Sequence, residues 1–425
     1  MSENIRVTNR SKFGNQPRYL FIIVLLLWFS TAGRAAAEEH GSPKTVNGEL
    51  TVKNGIRILR VWGTPEEMGY AQGRLLAEEI VASANEVINL MMFKDKPNRY
   101  ETEILPAARE RLIKPPHLAS EVEGLYRGVC DALPPEKRRL AGLDREAAIE
   151  DIWAINLFSE WAGLMCSTAA CWGPMTHSGK TVLGRNLDYM AIKATISTHV
   201  AVARAPKDAP KWVSFTWSGL LGCYTGFSEQ GATSLVHDVW VRSAESDARA
   251  RRFISRHAAF QQALLEINDG PNFVEATAAL LRGCPAVRGS NFYFATPSGA
   301  AVFEYDQNSS RDGGVTPRLP PPGQNWLITT NHYRKRAKPQ ECWRYAILDK
   351  LMTQAAADGN RIDKAEMWNI ITQASQFSTL QTVVFDSSDR SFLVALAGVL
   401  TPAQKKKPVE LRWEDFFPES PQAKN

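Results

Sequence analysis

Cys166 opens the run Cys166-Ser167-Thr168-Ala169-Ala170-Cys171, and Gly184-Arg185-Asn186-Leu187-Asp188 follows one tight turn later. A thiol attacks as its thiolate, and a neighbouring cation favours that form. Two short strands joined through His177-Ser178-Gly179-Lys180 would return Arg185 and Asp188 beside Cys166. The chemistry within reach is attack of sulfur on a carbonyl, with Arg185 expected to lower the thiol pKa.

Other motifs compete and fall short. Gly179-Lys180-Thr181 ends like a phosphate-binding loop, but Pro174 stands where the first glycine is required, and a strand follows where a helix should. Cys171-Trp172 resembles a papain-type nucleophile, with His332 and a nearby Asn as partners, yet that cysteine should open a helix and here it ends a strand. The six cysteines (130, 166, 171, 223, 284 and 342) include no C-x-x-C, and there is no H-E-x-x-H or G-x-G-x-x-G. No metal and no cofactor is expected.

The elements that must position these residues fall into two parts. Thr64-Pro65-Glu66-Glu67 is a helix start, with Thr64 as cap, Pro65 at the first helical position and Glu67 closing a capping box. The pattern predicts a helix to about Met92 with Met68, Leu75, Leu76, Ile80 and Val81 on one face. Leu50–Trp62 reads as a strand before it, and Asp144–Trp161 as a later helix. From Cys166 the pattern changes to short strands: Cys166–Trp172, Thr181–Gly184, His199–Arg204, Trp212–Trp217, Ala232–Val236, Asn291–Ala295, Ala301–Tyr305, Trp326–Thr330, Thr382–Phe385 and Phe392–Leu396. Helical stretches Ala248–Ile267, Asn272–Leu281 and Trp343–Gln373 interrupt them, and Arg311–Gly323 reads as a surface loop. This is the pattern of an α+β layered domain. The division is a leader (1–37), a mainly helical segment (38–165), a layered domain (166–402) and a polar tail (403–425).

The chain of 425 residues has a net charge of +5, but residues 1–37 hold Arg6, Arg10, Lys12, Arg18 and Arg34 against Glu3 alone. The rest is nearly neutral, so nothing points to a nucleic-acid partner. The ten-residue run Leu20–Phe29 follows that basic stretch and precedes Ala35-Ala36-Ala37, the layout of a secretory signal cut near Ala37. The run is short for a membrane span. Export to a periplasm or the exterior and a soluble mature chain are expected; the alternative is an anchor over residues 19–33.

Taken in order, these segments resemble the N-terminal-nucleophile cysteine hydrolases of the peptidase C45 type. That family includes the acyl-coenzyme A:isopenicillin N acyltransferases and is related to bile salt hydrolases and acid ceramidases. The resemblance rests on Gly63-Thr64-Pro65-Glu66-Glu67-Met68-Gly69-Tyr70-Ala71-Gln72-Gly73, on Cys166 with its G-R-N-x-D partner, and on Gly222–Gly231. It extends through Asn291–Glu304, Thr329-Thr330-Asn331-His332-Tyr333, Arg344-Tyr345 and Thr379–Asp386. It implies a four-layer αββα sandwich preceded by a helical pro-region. It implies autoprocessing between Met165 and Cys166, giving two chains that stay associated. Cys166 would then attack the amide carbonyl of a small N-acyl substrate, with hydrolysis or acyl transfer to follow. In the implied roles Arg185 stabilises the thiolate, Asp188 holds the α-amine or scissile N–H, Asn331 donates to the oxyanion, and Arg344 orients Asp188. Ser228 and His237 depart from the family pattern, which leaves the second oxyanion donor open. An ester hydrolase of the same fold and an uncleaved binding relative remain alternatives.

Overall fold

The computed structural model describes residues 45–91, 98–161, 163–239, 252–306 and 310–419. The leader and its expected cleavage point near Ala37 lie outside the described residues. Among the described residues no helix is long and apolar enough to cross a membrane.

The first described elements are a hairpin, β1 (Gly48–Lys53) and β2 (Ile56–Gly63), where the sequence predicts one strand. Asn54 and Gly55 both have positive φ, the conformation that a two-residue hairpin turn demands. Helix α1 (Pro65–Leu75) starts as expected: the Thr64 hydroxyl accepts from the Glu67 N–H and the Glu67 carboxylate accepts from the Thr64 N–H. The single long helix is a correction: the axis breaks at Leu76 and resumes as α2 (Ala77–Met91). Leu75 points away from the core while Leu76 and Ile80 are buried.

Helix α1 packs closely against α3 (Pro116–Ala132). Gly69 and Gly73 on α1 face Gly124 and Gly128 on α3, and backbone meets backbone. A Cβ on Gly69 would lie 1.9 Å from the Glu121 carbonyl oxygen, and one on Gly124 would lie 2.1 Å from that of Glu66. Gly69→Ala is expected to lower stability by about 3 kcal/mol, the upper part of the overpacking range, because the obstacle is main chain and cannot rotate away. Urea unfolding beside Gly270→Ala, which meets open space, checks this.

Two shorter helices, α4 (Ile149–Ile155) and α5 (Phe158–Trp161), lead to the strands. These are β3 (Met165–Cys171), β4 (Val182–Asp188), β5 (His199–Pro206), β6 (Trp212–Trp217), β7 (Thr225–Ser228), β8 (Thr233–Val239), β9 (Gly289–Thr296), β10 (Gly299–Tyr305), β11 (Val315–Arg318), β12 (Trp326–Thr329), β13 (Thr379–Asp386), β14 (Ser391–Leu396) and β15 (Val409–Arg412). Helices α6 (Arg256–Glu266), α7 (Phe273–Arg282), α8 (Trp343–Ala357) and α9 (Lys364–Thr372) are interleaved with them.

Among the described residues these strands form two large sheets, and Arg139–Leu140 pairs with Arg145–Glu146 in a separate two-stranded ribbon. One has nine strands in the order β1-β2-β5-β6-β7-β8-β9-β10-β11, and the other six in the order β12-β3-β4-β13-β14-β15. All neighbours are antiparallel except β2 and β5. The sheets face each other through Phe215 and Phe227 of one and Phe385 and Phe392 of the other. Leu348, Met352, Met367 and Ile371 of α8 and α9 cover the outside of the six-stranded sheet, and α1, α6 and α7 pack on the nine-stranded one. The fold is therefore the expected αββα sandwich.

The mainly helical segment before Cys166 also lends β1 and β2 to the edge of the nine-stranded sheet. The tail after 402 is not simply polar: β15 pairs with β14, and Trp413 and Phe416 enter the core between the sheets. Short amphipathic segments like these have no pattern of their own; their partners decide them.

Candidate active site

Alternation along β3 sorts its residues. Thr168 and Ala170 share a face with Cys166 and look toward the nine-stranded sheet, while Ala169 and Cys171 look toward α8 and α9. Cys171 sits among Val182, Met352 and Ile371 in that apolar layer. It does not share a face with Cys166, and the papain-like arrangement is absent.

The same alternation acts on β4. Arg185 lies opposite Thr168 in the register and Asp188 opposite Met165, so the two charges project to opposite faces. Arg185 places Nη2 3.5 Å from the Cys166 sulfur and donates from Nη1 to the Val236 carbonyl at 2.9 Å. Asp188 accepts from the Thr379 hydroxyl at 2.6 Å, Gln376 Nε2 at 2.9 Å and Arg344 Nη1 at 3.2 Å. Burial pushes its carboxyl above the ordinary range, and the Thr379 hydrogen bond, the Arg344 charge and Gln376 recover only part of the shift.

Asn331, just past β12, and Arg344, in the first turn of α8, complete the group. The Cys166 N–H donates to Asn331 Oδ1 at 2.8 Å, not to Asp188, which differs from the role expected of that carboxylate. Arg344 donates from Nη1 to the Cys166 carbonyl at 2.7 Å and from Nη2 to Asn331 Oδ1 at 2.8 Å. Asn331 Nδ2 donates to the carbonyls of Leu164 at 3.0 Å and Asp238 at 2.8 Å. All five expected residues thus meet around one backbone segment.

The expected lowering of the Cys166 pKa is not what this uncut chain shows. Burial pushes the thiol up to about 12; Arg185 pulls it down, and Asp188 and Asp238 oppose that pull. A fully enclosed sulfur loses more hydration than one guanidinium returns.

Sequence reasoning singled out His237 and passed over its neighbour. His237 is buried: Nδ1 lies 3.2 Å from the Asn291 carbonyl, so it donates there, and Nε2 accepts from the Thr168 hydroxyl at 2.9 Å. Burial, with the Arg185 charge, holds it well below the usual histidine value and therefore neutral. Asp238 is the residue that reaches the site. Its Oδ2 accepts from the Leu164 N–H at 2.7 Å, and its Oδ1 from Arg256 Nη1 at 2.7 Å. Arg256 also grips Glu160, from Nε to Oε2 at 2.9 Å. The local signal was a lone acid in the strand Thr233–Val239.

A second thiol stands nearby. Cys342 stands at the N-cap position of α8, half-buried, without a side-chain cap bond, and His332, Thr330 and the Tyr345 N–H lie near its sulfur. Burial alone would push it up, but hydrogen bonds with these groups and the Arg344 charge bring it down to about 6. Iodoacetamide at neutral pH is expected to modify Cys342 ahead of the buried Cys171, Cys223 and Cys284, with the rate falling as pH drops through about 6. Peptide mapping by mass spectrometry checks this.

Fold and site together describe a layered α+β protein in which a strand opens on an enclosed thiol between two sheets. No family model matches the chain. Protein dcd1B of Dictyostelium discoideum is 26% identical over 215 residues, covering 46% of this chain and 41% of that protein. The chain thus matches less than half the length of this relative. Among solved structures, the chain is similar to a Caenorhabditis elegans N-acylethanolamine-hydrolyzing acid amidase ortholog, with TM-score 0.42 and 13% identity over 58% of this chain and all of the other. Penicillin V acylase from Agrobacterium tumefaciens aligns with TM-score 0.38 and 14% identity over 58% and 86% of the two chains. A conjugated bile acid hydrolase from Clostridium perfringens aligns with TM-score 0.39 and 11% identity over 59% and 93%.

Proposed function

We propose that this chain is a self-processing cysteine amidohydrolase of the peptidase C45 type, exported and acting on the linear carbon–nitrogen bond of an N-acyl substrate. The observation that carries the reading is the convergence on residue 166. Its sulfur faces Arg185, its N–H is held by Asn331 and its carbonyl by Arg344.

In processing, the Cys166 thiol adds to the Met165 carbonyl, the acyl group shifts from nitrogen to sulfur, and water hydrolyses the thioester. The α-amine so released has a reference pKa of about 7.7–8.0 and serves as base near neutral pH. In turnover that amine takes the thiol proton as sulfur adds to the substrate carbonyl. The carbon–nitrogen bond breaks, the amine leaves with a proton, and water clears the thioester. Once the Leu164 carbonyl has moved off, Asn331 Nδ2 is the donor for the oxyanion, worth about 3–4 kcal/mol in comparable sites. The two chains stay associated through the nine-stranded sheet, which β1 and β2 share with β5.

Intact-mass analysis and N-terminal sequencing of the purified protein test the reading. Two co-eluting chains with a new terminus at Cys166, releasing amine from an N-acyl amide, are the expected result. An uncut chain with full amidase activity would overturn it.

A further inference from the structure

Leu164 lies two residues before the thiol, on the acyl side of the proposed scissile bond, and its backbone is read on both edges. Asp238 Oδ2 accepts its N–H at 2.7 Å, and Asn331 Nδ2 donates to its carbonyl at 3.0 Å. Its side chain is buried and closes one wall of a cavity of about 30 Å³ with Val87, Ile155, Phe158, Tyr189 and Trp217, so the recess open to an incoming group is mainly the space that Leu164 itself fills. Three of the polar side chains in that wall are already engaged. The Ser83 hydroxyl donates to Thr198 Oγ1 at 3.3 Å, Trp217 Nε1 to the Thr195 carbonyl at 2.9 Å, and Thr195 Oγ1 to the Met190 carbonyl at 2.9 Å. The recess therefore takes an apolar group. Met165, by contrast, is 40% exposed.

Residues 164–165 are thus an acyl group already seated at Cys166. When they leave, Asp238 Oδ2 becomes a buried acceptor without its donor, while Oδ1 stays tied to Arg256. An incoming acyl half that brings an N–H to that point, with its own carbonyl clear of the Asn331 Nδ2 needed by the oxyanion, restores the bond; one that does not leaves the oxygen unsatisfied and pays for it in affinity.

Resting on the amidohydrolase reading, we propose that Asp238 is a specificity-determining residue and that the substrate is a peptide-like amide. Its acyl half would carry an N–H one residue before the scissile carbonyl, with an apolar side chain for the recess and a freely variable group beside the bond. A plain fatty acyl chain would fill the recess but leave Asp238 unpartnered.

The test uses the processed wild-type protein and three fluorogenic amides of 7-amino-4-methylcoumarin: acetyl-Leu-Met, acetyl-N-methyl-Leu-Met and octanoyl. The first is expected to exceed the other two in kcat/KM by about tenfold to hundredfold, the worth of one hydrogen bond to a charged group. In Asp238→Asn that has processed, the gap between the first two is expected to shrink severalfold. Equal rates for the first two, or an octanoyl preference, overturn this inference and leave the amidohydrolase reading standing. Failure of a processed protein to cleave any of these or any other N-acyl amide overturns both.

Discussion

Cys166→Ala is expected to remain one uncut chain and to lose amidase activity by roughly 10³-fold or more, while Cys171→Ala processes normally and keeps its activity. The physical reason is the alternation of β3. Cys166 faces the gap between the sheets, with Arg185 at 3.5 Å and its backbone held by Asn331 and Arg344. Cys171 projects from the other face into the layer of Met352 and Ile371, where no cation or donor side chain contacts its sulfur and burial pushes the thiol far up. Removing the Cys171 sulfur leaves a small void costing about 1 kcal/mol. Intact mass and an N-acyl amide assay on both variants separate the cases. Processing lost in Cys171→Ala and kept in Cys166→Ala would reverse the assignment.

Arg256→Met is expected to destabilise the fold by about 3–5 kcal/mol. Arg256 has no exposed surface, and neither do the Glu160 and Asp238 carboxylates it joins. Burial alone would favour the neutral guanidine, but the two carboxylates reverse that and hold the cation. Met preserves bulk and removes the charge, so two carboxylates stay buried with no counter-ion. Asp238 would also lose the tie that aims it at Leu164, and processing is expected to slow. Urea unfolding and the rate of appearance of the Cys166 terminus measure the two effects separately. Arg256→Lys, which keeps the charge but cannot make both side-on contacts, is expected to fall between. Wild-type stability in Arg256→Met would mean that the network contributes nothing to the fold.

Cys166 and Arg185 were legible because their signals are local, whereas Asn331 and Arg344 were reached only through the family resemblance. Cys166 and Arg185 are brought together by a hairpin whose turn residues are visible, and period-2 alternation does the rest. The same periodicity, applied strictly, would have separated Arg185 from Asp188, which are three residues apart and so fall on opposite faces. Asp238, Arg256 and Glu160 carried no comparable signal. They come from β8, from the start of α6 and from α5, and a buried ion network leaves no spacing to read. The break at Leu76 was hidden as well: neither Gly nor Pro stands at it.

The amino-acid order alone determined most of the element types, the Thr64 cap and the hairpin that carries Cys166 and Arg185, because capping, alternation and turn chemistry act within a few positions. Tertiary structure alone decided which face each charge occupies, that burial outweighs Arg185 at the sulfur, and that Leu164 is gripped by Asp238 and Asn331. Those outcomes depend on desolvation and on atoms distant along the chain, and neither has a local signature.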